Sequence, residues 1–202
     1  MAQPNQNLSD DIAFMRSLAE AGRDRPMVGG SILLAAGAIY GAASLTVWGL
    51  LAAGALENWM YAAVFLSATV LYLAALFWLL RGVPRDGSPY QVATGVAWSA
   101  VGWAIFVIGI SLGVVTWRLQ IPNLMSVFPC ILMALYGAAW LVAATLMRQA
   151  WMKGVAGGAF LTAGAAAWFV DQPMMWLLFG LGLLALLAAP GLVLMRQAKR
   201  AA

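Results

Sequence analysis

Six long apolar runs divide this chain, and they constrain its fold more than any other feature. They cover residues 27–56, 59–80, 92–116, 124–147, 151–170 and 174–195. A helix needs about 20 apolar residues to cross a bilayer. All six runs qualify, the fifth only marginally, because it is short and rich in glycine. Inside hydrocarbon every backbone N–H and C=O must find its partner within the segment, so each run is expected to be a helix. Only 9% of the residues are charged, whereas about 25% is usual for a soluble domain. The expected class is therefore an all-α integral membrane protein of six transmembrane helices. They form three helical hairpins, preceded by a short cytoplasmic amphipathic helix.

The breakers lie between the runs. "RGVPRDGSPYQ" separates the second from the third, "WRLQIPN" the third from the fourth, "RQAWMKG" the fourth from the fifth and "DQP" the fifth from the sixth. Lysine and arginine collect on the cytoplasmic side of a membrane protein. With the N-terminus inside, that side carries Arg16, Arg23, Arg25, Arg81, Arg85, Arg148, Lys153, Arg196, Lys199 and Arg200. The outer side carries Arg118 alone. This asymmetry predicts both termini in the cytoplasm. It divides the chain into a tail over 1–26, a transmembrane domain over 27–195 and a basic tail over 196–202. The expected location is a bacterial inner membrane.

The net charge of +4 does not point to nucleic acid, because the cations sit at the ends of apolar runs, where anionic headgroups lie. The chain has no histidine and one cysteine, Cys130. That removes histidine-ligated haem, histidine metal sites, Ser-His catalysis and an intrachain disulfide. No Asp, Glu, Lys or Arg falls in the middle of any run. Such residues mark proton relays and ion paths. Enzymatic activity is not expected, and neither a metal nor a cofactor is expected.

Three sets of residues stand out within the runs. Gly95, Ser99, Gly102, Phe106, Gly109 and Gly113 step by three and four and share one helix face. Small residues let helix backbones approach closely in lipid, so this face predicts a helix–helix seam, inside the chain or between two chains. Gly37 and Gly41 form a similar GxxxG pair in the first run. Tyr40, Tyr72, Trp98, Trp103 and Tyr136 are the aromatic residues best placed to line a pocket for an apolar ligand. On the outer side Glu57, Arg118 and Asp171 come from three different loops, where a polar cluster is conceivable. Pro129 and Pro190 are each expected to kink a helix.

The stretch "LSDDIAFMRSLAEAGRDRP" holds seven of the eighteen charged residues. As a helix over 8–22 it places Leu8, Ile12, Met15 and Leu18 on one side and Asp10, Arg16, Ser17 and Glu20 on the other. It carries four acids and no lysine, so it is poorly made for an anionic lipid surface. A protein surface suits its apolar face better: this bundle, a second copy or a partner. Two functions follow as expectations. The first is a non-enzymatic subunit, scaffold or regulator that acts through protein contacts in the bilayer. The second is a facilitator or binding protein for a neutral or apolar molecule such as a lipid or a quinone.

Overall fold

The structure, a computed structural model, describes residues 29–81 and 89–201. The amphipathic segment with Leu8, Ile12, Met15 and Leu18 lies outside the described residues. Within them the chain is helical, with no strand. Helix α1 is Gly30–Ala52, α2 is Asn58–Leu80 and α3 is Pro89–Leu119. A 3-10 turn, Pro122–Val127, leads into α4, Phe128–Met147. Then come α5, Ala150–Trp168, and α6, Pro173–Leu183. A π-helical segment, Leu184–Ala188, joins α6 to α7, Ala189–Ala201. The last three form one continuous rod.

Five of these six apolar helices are long and apolar enough to cross a membrane. The exception is α5, in the run the sequence marks as marginal. It has 19 residues and carries Lys153 and four glycines. At about 1.5 Å per residue it still reaches roughly 28 Å. Its character comes from protein contact: Met152, Ala156, Ala159 and Ala166 are buried. It runs back along α4 after a two-residue turn.

Turn chemistry sets the hairpins. Gly54 after α1 has φ 66, a left-handed conformation open to glycine at no steric cost. The turns after α3, α4 and α5 place Gln120, Arg148 and Asp171 in the same region, at φ 53, 50 and 65. A side chain there costs roughly 1–2 kcal/mol, which is tolerable for single turn residues. Pro129 does not kink a span. It lies in the first turn of α4, where a missing N–H removes no helical hydrogen bond.

The centre of the molecule is built from α1, α4, α5 and the α6–α7 rod. Leu33 and Ala36, Met133, Trp140 and Met147, Met152 and Ala156, and Phe179, Leu183, Leu187 and Leu194 form one buried cluster. Helices α2 and α3 contribute nothing to that buried set and flank it instead. α2 packs on α1, and α3 packs on α4. Only 6% of the apolar segment of α2 is buried, and 6% of that of α3, against 44–50% for α1, α4 and the last rod. The three hairpins are thus unequal. In the first the inner helix leads, in the second it follows, and in the third both helices are inner.

The tightest contact joins the two ends of the described chain. Helix α1 runs antiparallel to the α6–α7 rod, with Gly30 against Gly191 and Gly41 against Gly180. A Cβ on Gly30 would stand 2.7 Å from the Gly191 carbonyl oxygen, and one on Gly191 would stand 2.6 Å from that of Gly30. The Gly41–Gly180 pair is reciprocal too, at 3.3 and 3.2 Å. Between them Gly37 lies against the backbone of Leu183 and Ala188. Dispersion contact of this closeness is what holds helices together where the surroundings are as apolar as the helices themselves.

Pro190 produces the one irregularity in the rod. It has no N–H to offer the carbonyl of Leu186, four residues earlier. That carbonyl accepts the indole N–H of Trp140 instead, at 2.9 Å. The π-helical segment ends two residues before Pro190. A fully buried tryptophan and a freed backbone carbonyl therefore satisfy each other across α4 and the rod.

Candidate functional site

Among the described residues the glycine face of α3 has almost no partner. No described residue lies within 4 Å of a Cβ built on Gly95, Gly102 or Gly113. Ser99 and Phe106 are exposed. Gly109 alone is approached, by the Phe128 ring at 3.2 Å. Among the described residues the α3 stripe is therefore empty over most of its length, whereas Gly37 and Gly41 stand in close contact. The reason is visible one position earlier. Thr94, Trp98, Val101, Ile105, Ile108 and Leu112 are buried or half-buried, and this adjoining stripe is what α3 turns to the protein. Large side chains reach across to α4 and fill the contact. The stripe of small residues, about 100° further round, faces outward.

Four of the five aromatic residues singled out in the sequence come together. Tyr40, Tyr72, Trp98 and Tyr136 all pack against the central cluster. Tyr40 meets Tyr72 with ring centroids 5.6 Å apart. Trp98 meets Tyr136 at 6.2 Å and Trp140 at 5.2 Å, the latter edge to face. Trp140 continues to Trp151 at 6.0 Å. Trp103 is not part of this group. It is 67% exposed and touches only Phe106 among the aromatics. Its position on α3 turns it away from α4 with the small-residue stripe beside it.

Hydrogen bonding in the cluster is uneven. The Tyr40 hydroxyl donates to Thr69 Oγ1 at 3.2 Å, and Thr69 donates to the Phe65 carbonyl at 2.7 Å. Ser44 donates to the Tyr40 carbonyl at 2.7 Å. The indole nitrogen of Trp98, shut off from the surface, has no partner. Residue Thr69 escaped sequence reasoning; a threonine one turn from Tyr72 was the available signal.

The charges at the other end do not form a joint site. Glu57 accepts the Trp59 indole N–H at 2.6 Å. Asp171 accepts an amide N–H of Asn123 at 3.0 Å. Gln120 donates to the Trp117 carbonyl at 2.5 Å. Among the described residues no hydrogen bond or ion pair links Glu57, Arg118 and Asp171. Asp171 thus reaches across to the α3–α4 connection through Asn123, while Glu57 is engaged beside its own helix start.

An open apolar groove of about 400 Å³ lies between α5 and α6, lined by Leu161, Ala165, Leu178, Leu181, Ala185 and Leu186 among others. The Thr162 hydroxyl beside it is engaged with the Gly158 carbonyl at 2.8 Å. The groove therefore offers shape but no polar recognition. Compared with known protein families, with curated proteins and with solved structures, the chain finds no match.

Proposed function

We propose that this chain is a non-enzymatic subunit of a bacterial inner-membrane assembly, acting through protein contacts in the plane of the bilayer. One observation carries the reading: α3 is 6% buried in its apolar segment and holds three glycines with no described residue within 4 Å. A lipid-facing helix has no need of backbone exposed by glycine, which lowers helix propensity by about 1 kcal/mol per residue relative to alanine. A second helix seated on that face would use it, since glycine lets two backbones close. The small-residue face of α3 is the proposed contact surface. The amphipathic segment over 8–22 is a second one.

Gly102→Leu tests this. Among the described residues nothing meets a side chain at that position, so the variant should fold, insert and melt like wild type. Its assembly should be smaller or absent when native mass is measured in mild detergent. Gly102→Cys in a Cys130→Ala background should cross-link to a neighbouring chain. If Gly102→Leu keeps the wild-type native mass and Gly102→Cys captures nothing, the contact reading fails at this face.

Six crossings with both termini in the cytoplasm belong to the same proposal. The basic ends support it, together with the antiparallel pairing of α1 and the α6–α7 rod, which brings Gly30 beside Leu194 and Met195. Single cysteines in the Cys130→Ala background should be labelled from the periplasm at Glu57, Arg118 and Asp171. Lys153 should be labelled only after the membrane is breached. Periplasmic labelling at Lys153 would overturn the six-crossing arrangement.

A further inference from the structure

Three hydrogen-bond donors in the aromatic cluster have no acceptor among the described residues. The Trp98 indole N–H is enclosed and unpaired. The hydroxyls of Tyr72 and Tyr136 have no hydrogen-bond partner among the described residues. Their neighbours are all served: Tyr40 by Thr69, Ser44 by the Tyr40 carbonyl and Trp140 by the Leu186 carbonyl. Donors left open in apolar surroundings are uncommon, because no water can replace the missing partner.

The three donors stand close together. Tyr136 is in ring contact with Trp98, and Tyr72 packs with both against the same buried cluster. They come from three helices, α2, α3 and α4. α2 is held by α1 and α3 by α4, with little contact between α2 and α3 themselves.

We propose that Trp98, Tyr136 and Tyr72 form the donor side of a binding site for an apolar molecule bearing carbonyl oxygens, entered laterally between α2 and α3. The chemistry selects the ligand. An indole N–H can only donate, so its partner must be an acceptor. The rest of the wall is aliphatic or aromatic, which suits an apolar body. No formal charge lies at that depth, so a charged headgroup has no counter-ion there. Carbonyls on an apolar body occur in a quinone ring and in the acyl ester of a membrane lipid. The site rests on the membrane reading of the chain and is independent of the α3 contact face.

The test is equilibrium gel filtration of the purified full chain in mild detergent, at graded concentrations of decylubiquinone or of a dibrominated phosphatidylglycerol. One of the two probes should be held saturably, near one per chain. Retention of decylubiquinone assigns a quinone ring, and retention of the brominated lipid assigns an acyl ester. Tyr136→Phe keeps the ring and removes the donor, and Trp98→Phe keeps an aromatic side chain of smaller size and removes the donor. Each should weaken binding about five- to tenfold, the effect of one lost hydrogen bond. Trp103→Phe, outside the cluster, should bind as wild type. The elution position of each variant reports its fold, so a misfolded variant is not mistaken for a lost site. If neither probe is held saturably, the proposal is wrong. If both phenylalanine variants bind as tightly as wild type, it is wrong as well, and the Trp98 N–H is served by the face of Trp140. Labelling at Lys153 tests the membrane reading separately.

Discussion

Gly191→Leu should prevent the chain from reaching its native fold. A Cβ at this position would stand 2.6 Å from the Gly30 carbonyl oxygen and 2.6 Å from the Leu34 amide nitrogen. Both are backbone atoms of α1, so no side-chain rotation can relieve the clash. The two helices would have to separate along their whole seam, which would loosen Gly30, Gly37, Gly41 and Gly180 together. Overpacking a well-filled interior costs about 1–3 kcal/mol, and more where backbone must move. Whole domains hold only about 5–15 kcal/mol. Gly191→Ala should therefore lower the thermal midpoint in detergent, and Gly191→Leu should aggregate or be degraded. Gly102→Leu, on the open face of α3, should leave the midpoint unchanged. Fluorescence-detected gel filtration with a thermal ramp reads all three. A wild-type midpoint for Gly191→Leu would mean that α1 and the last rod do not meet as described.

The second large effect concerns Trp140. Its ring is 0% exposed, and its indole N–H closes the carbonyl that Pro190 leaves open. Trp140→Phe loses that donor and part of the buried ring. An unsatisfied buried acceptor costs about 1–3 kcal/mol. Removal of buried volume adds to it, in proportion to the cavity left. Pro190→Ala restores an N–H four residues after Leu186 and lets the rod satisfy its own carbonyl. The loss caused by Trp140→Phe should then shrink by about 1 kcal/mol in the Pro190→Ala background. Unfolding midpoints of the four proteins give this coupling directly. Strict additivity would show that the indole–carbonyl contact carries no energy and that Trp140 acts through size alone.

Some of this architecture can be read in the chain before any coordinates. The helices and their approximate ends follow from apolar length, from breakers such as "DQP" and from the arginines and lysines beside them. The marginal standing of α5 is also legible, since Lys153 and its glycines lower its apolar content. A further signal is present but easily missed. Gly30 and Gly41 are eleven residues apart, and so are Gly180 and Gly191. Equal spacing in two antiparallel helices is what lets both pairs meet at once. Pro190 is visible as a donor deficit, but no local rule names Trp140 as the group that makes it good.

Which segments are helical and which ends carry charge follows from the order of residues alone. These are local properties of composition, turn residues and capping. Which face of each helix meets protein depends instead on how the helices pack together. In a soluble helix an apolar stripe marks the buried side, because the other side must face water. Here every side of the central helices is apolar, so the pattern is silent about direction. The α3 helix illustrates the consequence. Its glycine stripe has the regular spacing, yet the larger stripe beside it, from Thr94 to Leu112, takes the contact with the protein. Contact area with α4 selects between two equally apolar faces, and that area exists only once the helices are placed together.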